Sequence, residues 1–202
     1  MNYQVNEIFY TLQGEGYFTG RPAVFVRFSG CNLKCPFCDT KFDSFTLMSA
    51  EDIVSKIQSL TSNSVSNPTA SAIRQQSGLL VVLTGGEPTL QVNKELTEAL
   101  HRKNYFLAIE TNGTNPIPEG IDWITYSPKE QITIHNQVLD QANELKIVYL
   151  GQDVEKYYQS VKAEHYYLQP CSNRNTKEVV NYILQHPHWQ LSLQTQKIIG
   201  IK

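Results

Sequence analysis

Three cysteines, Cys31, Cys35 and Cys38, fall within eight residues of the stretch SGCNLKCPFCDTKF, spaced C-x3-C-x2-C. Thiolates at that spacing on one loop can ligate three irons of a cubane 4Fe–4S cluster. The fourth iron then has no protein ligand from the motif. An open coordination position is what separates a catalytic metal centre from a structural one. The alternative is a structural zinc site with Cys171 as fourth ligand. Zinc knuckles favour C-x2-C pairs and recruit a nearby Cys or His, so the spacing points to the cluster. Short-spaced cysteines also fit a metal site better than a disulfide framework.

The cysteine loop needs a scaffold. Residues 23–28 (AVFVRF) read as a strand running into it. Further strands are expected at 79–83, 106–110, 123–126, 144–149, 166–169 and 190–194, and helices at 49–60, 93–103, 154–161 and 176–185. In the first helix Ile53, Ile57 and Leu60 recur at helical spacing, and Ser49 with Asp52 makes a capping-box start. Short strands alternating with helices imply an α/β fold with a mostly parallel sheet and right-handed crossovers. The units are too few for a closed eightfold barrel, so a partial, incomplete β/α barrel is expected. Residues 61–78 (TSNSVSNPTASAIRQQSG) read as a polar insertion loop.

The 202 residues suit a single domain, 1–202, and 41% hydrophobic residues can build a substantial core. Seventeen basic against nineteen acidic side chains leave a net charge of -2, without the basic footprint of a direct nucleic-acid binder. No apolar run approaches a membrane span. The first residues, MNYQVNEIFYTLQGEG, lack the charged-then-apolar pattern of a secretion signal. The expectation is a cytoplasmic protein with no membrane contact.

CNLKCPFC resembles the signature of the radical S-adenosylmethionine (SAM) superfamily, and LTGGEPTL at 83–90 resembles its glycine-rich strand end. YTLQGEG at 10–16, RFSGCNLKCPFCDT at 27–40, ETNGT at 110–114, SPK at 127–129, LQP at 168–170 and the final SLQTQKIIGIK resemble the 7-carboxy-7-deazaguanine synthase family, in order along nearly the whole chain. The resemblance implies a shortened barrel of the radical SAM type. It implies a lyase converting 6-carboxy-5,6,7,8-tetrahydropterin to 7-carboxy-7-deazaguanine with release of ammonia, in queuosine and deazapurine synthesis. It also implies a 4Fe–4S cluster, SAM, Mg²⁺, an electron donor such as flavodoxin or ferredoxin, and a homodimer.

The same resemblance assigns roles. Cys31, Cys35 and Cys38 would hold the cluster, and Thr40 would offer its hydroxyl to Mg²⁺. Leu12, Gln13 and Gly14 would contact the pterin, as would Thr84. Arg27 would pair with the substrate carboxylate through its planar fork. SAM would meet Phe37, Cys38, Asp39, Gly86, Glu87, Glu110, Asn112, Ser127, Pro128, Lys129, Gln169, Pro170, Cys171 and Ser172. Cys171 is then a bystander to the cluster. Lys202 would reach the pterin through its carboxylate, and Ile198, Ile199 and Ile201 imply a tail that packs. Read without the resemblance, LQGEG and SPK are turns, Arg27 is a strand arginine, and Glu87 caps the next helix. His101, His135, His165, His186 and His188 match no ligand pattern. Two other functions stay open. One is a glycyl-radical activating enzyme, which shares the cysteine and GGEP motifs. The other is a zinc-bearing interaction module.

Overall fold

The computed structural model describes residues 1–38, 40, 44–62, 78–129, 135 and 140–202. The polar insertion expected at 61–78 lies largely outside them. The chain divides into two compact units. The first comprises Met1–Thr11, Pro22–Glu110 and Pro118–Asp122, and the second Leu12–Arg21, Thr111–Ile117 and Trp123–Lys202.

The first unit is built on β1 (Asn2–Leu12), β2 (Pro22–Phe28), β3 (Thr46–Ser49), β4 (Leu79–Gly85) and β5 (Tyr105–Thr111), with helices α1 (Ala50–Thr61) and α2 (Lys94–His101). Its strand order is β3-β1-β2-β4-β5. β2 pairs parallel with β4, Ala23 opposite Leu80 and Phe28 opposite Gly85, and β4 pairs parallel with β5. The first five residues of β4, LLVVL, are all buried, as a central parallel strand covered on both faces requires. β3 lies antiparallel to β1 at the sheet's edge. β1 and β3 fall outside the expected strands. β1 (NYQVNEIFYTL) mixes polar and apolar residues, and β3 has only four residues.

The helices start where their caps say. Ser49 Oγ accepts from the Asp52 amide at 3.1 Å, and Asp52 Oδ2 accepts from the Ser49 amide at 2.9 Å. Asn93 Oδ1 accepts from the Leu96 amide at 3.1 Å and from the Tyr3 hydroxyl at 2.7 Å, tying α2 to β1. Ile53, Ile57, Leu96 and Leu100 are fully buried, the face these helices turn inward.

The second unit contains β6 (Trp123–Tyr126), β7 (Glu144–Tyr149), β8 (His165–Pro170) and β9 (Gln190–Leu191), in the order β6-β7-β8-β9 and all parallel. Its helices are α3 (Glu155–Ser160), α4 (Thr176–Gln185) and α5 (Thr195–Ile199). Glu155 on α3 accepts from Trp189 Nε1 at 2.9 Å and the Tyr182 hydroxyl at 3.0 Å, and lies 3.0 Å from His188 Nε2. These bonds anchor α4 and the approach to β9. β9 stops short of the expected 190–194, because Ser192 and Gln194 turn into polar contacts described below. Among the described residues β3 and β9 each have one neighbouring strand, so the mostly parallel α/β sheet is not closed.

The tail departs from expectation. Ile198, Ile199 and Ile201 are 58%, 55% and 38% exposed. The α5 turn is fastened at its start instead, where the Thr195 amide donates to Gly14 O at 3.0 Å and Gln196 Nε2 donates to Glu15 Oε1 at 3.1 Å.

The capping box gives a direct test. Ser49→Ala removes the N-cap acceptor and lowers stability by ~1 kcal/mol, about 2–4 °C in Tm for a chain of this size. Calorimetry of the variant checks this, and an unchanged midpoint would show that the box contributes nothing.

Candidate functional site

In the first unit the cysteine loop leaves the end of β2 and is stitched to the end of β4. The Gly86 amide donates to Phe28 O at 3.1 Å, and the Glu87 amide donates to Gly30 O at 2.9 Å. Gly85 (φ 132) and Gly86 make this possible. A Cβ on Gly85 would strike the Phe28 carbonyl oxygen, and one on Gly86 would strike the Gly30 carbonyl oxygen. Glu87, 1% exposed, caps the short turn Pro88–Leu90 through the Thr89 amide (3.1 Å) and hydroxyl (2.6 Å). Its expected place near the SAM amine is therefore one of two readings, and the capping one is made in the structure.

Cys31, Cys35, Cys38 and Cys171 are free thiols. The Leu33 amide donates to Cys31 Sγ at 3.4 Å, and the Cys38 amide donates to Cys35 O at 3.1 Å. Burial pushes the Cys31 thiol up, the Leu33 amide opposes this, and the charges of Glu87, Cys35 and Cys38 add to it. The three motif sulfurs thus share one electrostatic neighbourhood. Metal must displace the proton that this environment holds on Cys31. Among the described residues no three His, Cys, Asp or Glu side chains converge to hold a metal ion. Phe37 is half-buried beside Cys38, and Asp39 lies outside the described residues.

Arg27 on β2 is held from three sides. Its Nε donates to Glu7 Oε1 at 2.8 Å, its Nη1 donates to Thr40 Oγ1 at 3.3 Å, and its Cζ lies 5.8 Å from the centre of the Phe9 ring. Thr84 is Arg27's partner in register on β4. The structure therefore brings Arg27, Thr84 and Thr40 together in this unit. Glu110, half-buried, stands near the end of β5.

In the second unit the loop Leu12–Arg21 carries Leu12 (38% exposed), Gln13 (6%) and Gly14. Gln13 N donates to Arg21 O at 2.8 Å, and Gln13 Oε1 accepts from the Glu15 amide at 3.2 Å. Gly14 O accepts from the Thr195 amide at 3.0 Å, and a Cβ on Gly14 would strike the Gln196 side chain. Glu15, unassigned by the sequence reading, is the anchor. Its carboxylate accepts from Lys146 Nζ at 3.0 Å, Gln194 Nε2 at 3.0 Å and Gln196 Nε2 at 3.1 Å. Burial alone would raise its pKa, but the Lys146 charge and the three donors outweigh that and hold it at about 2. The Gly16 amide donates to Ser192 Oγ at 2.9 Å, and the Ser192 hydroxyl donates to Gln169 Oε1 at 3.0 Å. One chain of bonds so links LQGEG, the C-terminal LQTQ segment and LQP.

The remaining expected SAM residues also lie in this unit, in three turns. Asn112 Oδ1 accepts from the Thr114 amide (3.0 Å) and hydroxyl (2.7 Å). The Ser127 amide donates to Thr111 O at 2.8 Å, and Ser127 Oγ accepts from Lys129 Nζ at 2.7 Å, with Pro128 buried between. Beyond β8, Gln169 is 4% exposed, Pro170 pairs with Tyr149, and the Cys171 amide donates to Asn175 Oδ1 at 2.9 Å. Ser172 (φ 48) and Asn173 (φ 60) adopt left-handed backbone, a strained choice for residues with side chains. Lys202 is exposed.

The Glu15 charge has a pH signature. Its carboxylate is lowered from 4.5 to about 2 on folding, so its stabilisation is fully present above pH ~4.5 and is lost as pH falls from there towards 2. Glu15→Gln leaves the Lys146 ammonium, 6% exposed, without its counter-charge. It costs about 3 kcal/mol, as for other broken buried pairs. Thermal midpoints across pH 2–7 read both effects. An equally steep acid limb in the variant would exclude Glu15 as its source.

The model of the Radical SAM superfamily matches residues 25–172. The 7-carboxy-7-deazaguanine synthase of Bacteroides thetaiotaomicron is 46% identical over 199 residues, covering 98% of each chain. That of Haemophilus influenzae is 40% identical, covering 100% of this chain and 95% of its own. The crystal structure of QueE from Escherichia coli superposes with a TM-score of 0.73 at 29% identity, covering 96% of this chain and 95% of that one. These relatives favour an enzyme over the activating-enzyme and zinc-module readings. A superfamily model spans the cysteine loop and the strands behind it, and relatives sharing one name match almost the full length, so the chain belongs to the 7-carboxy-7-deazaguanine synthase family of the radical SAM superfamily.

Proposed function

We propose that the protein is a radical SAM lyase that converts 6-carboxy-5,6,7,8-tetrahydropterin to 7-carboxy-7-deazaguanine with loss of ammonia. The carrying observation is the cysteine loop stitched to the Gly85–Gly86 turn within a chain 46% identical over 98% of its length to a named synthase. Cys31, Cys35 and Cys38 would hold a 4Fe–4S cluster that, with SAM, would supply the radical chemistry of the ring contraction. Substrate and product differ by one molecule of ammonia, so the reaction needs no net oxidant.

The chain's own residues bind and orient. Gly86 has its amide committed to Phe28 O, so a SAM ammonium, itself a donor, meets a carbonyl of this turn. Ser127, Pro128, Lys129, Gln169, Pro170, Cys171 and Ser172 shape the rest of the SAM site, with Asn112 and Glu110 offering polar groups to the ribose. Leu12, Gln13 and Gly14 present the pterin-facing edge, held in place by Glu15. Arg27 takes the substrate carboxylate beside Thr84. Thr40 offers a hydroxyl to Mg²⁺, but that oxygen already accepts from Arg27, so the ion needs substrate oxygens to complete its sphere. Lys202 serves the pterin through its carboxylate. The working protein is a cytoplasmic homodimer reduced by a flavodoxin or ferredoxin. No helix among the described residues is long and apolar enough to cross a membrane.

Anaerobic incubation with the tetrahydropterin, SAM, Mg²⁺ and reductant, followed by mass spectrometry, tests the activity. The deazaguanine appears and SAM is recovered rather than consumed. Iron and sulfide analysis tests the ligands. Cys31→Ala, Cys35→Ala and Cys38→Ala each lose the intact cluster, whereas Cys171→Ala keeps it. A colourless, zinc-loaded wild type would sink the assignment.

A further inference from the structure

We propose that Glu7 is a positioning residue that aims the Arg27 fork at the substrate, an inference that rests on the reading of Arg27 as the carboxylate binder. β1 and β2 are neighbouring strands, and they bring Glu7 Oε1 to 2.8 Å from Arg27 Nε. A guanidinium offers its donors in fixed directions and can meet a carboxylate two at a time. With Nε donating to Glu7, a second carboxylate takes the end formed by Nη1 and Nη2. Nη1 already points that end towards Thr40, at 3.3 Å. Below the plane, the Phe9 ring stacks on Phe25 with centroids 5.2 Å apart and planes 5° from parallel, a floor under the guanidinium.

The arrangement separates two carboxylates that would otherwise repel. Glu7 takes the Nε edge and the substrate takes the terminal edge, so one cation faces both. Glu7 also removes the choice of edge, and with it the rotamers of a long side chain that is 21% exposed. The pair is too accessible to support the fold by itself, since partly exposed ion pairs contribute little to stability. Its consequence falls on substrate affinity.

The test is a double-mutant cycle on the reconstituted enzyme: wild type, Glu7→Ala, Arg27→Ala and both together. The readouts are substrate KM, kcat, SAM dissociation constant and Tm. Glu7→Ala raises the substrate KM about tenfold, with SAM affinity and Tm near wild type. Glu7→Gln, which keeps an acceptor oxygen for Nε, stays within about threefold of wild type. In the Arg27→Ala background, Glu7→Ala adds no further loss, because its effect passes through the guanidinium. Losses that simply multiply in the double variant would overturn the positioning role. So would a Glu7→Gln protein as impaired as Glu7→Ala, or a fall in Tm and SAM affinity that tracks KM. An Arg27→Ala enzyme with wild-type substrate KM would instead remove the reading of Arg27 itself, and this inference with it.

Discussion

The site depends on a backbone contact that only glycine permits. At the ends of β2 and β4 two main chains approach until the amides of Gly86 and Glu87 reach the carbonyls of Phe28 and Gly30. Any side chain at Gly85 or Gly86 would occupy the space of those carbonyl oxygens. The contact fixes where the cysteine loop begins relative to the GGEP turn. A cluster bound by three thiolates on a short loop inherits its position from that loop's root. The register of two parallel strands, set by their buried apolar faces, therefore locates the root of the cysteine loop.

The second unit solves a different problem by a costlier route. A loop of small and polar residues, LQGEG, has little apolar surface with which to pack. It is held instead by a carboxylate only 18% exposed, with a buried lysine and two glutamines closing around it. Burying such a pair is expensive unless every partner is supplied, and here three donors face one carboxylate. The network is rigid for that reason: moving the loop breaks a charge pair, not just a contact. It also holds the start of the tail. Gln194 and Gln196 turn inward to donate to Glu15, while Ile198, Ile199 and Ile201 stay exposed. Apolar composition suggested a packed tail, but its three isoleucines stay exposed, and the polar Gln194 and Gln196 make the contacts to Glu15.

Glu7 and Glu15 share a pattern. Each carboxylate stands behind residues assigned to substrate, Arg27 in one case and Gln13–Gly14 in the other. Neither belongs to a recognisable spacing. Their spacing in sequence carries no trace of the contacts they make.

Much was legible in the chain itself. The cysteine spacing, the glycine pair after an apolar run, the caps at Ser49 and Asn93, and the strands from 79 onward all depend on neighbours within a few residues. Local periodicity and turn chemistry express these directly. β1 and β3 were not legible, because a mixed polar strand and a four-residue edge strand become strands only by pairing with neighbours the local sequence does not reveal. The partners of Glu15 lie 131 to 181 residues away, and Glu7 lies 20 residues from Arg27 on another strand. Sequence alone determined the chemistry the chain carries, because thiols and glycines act through close spacing. Tertiary structure decided which charges hold those groups in place, because a buried carboxylate is defined by what surrounds it, and folding alone gathers those surroundings.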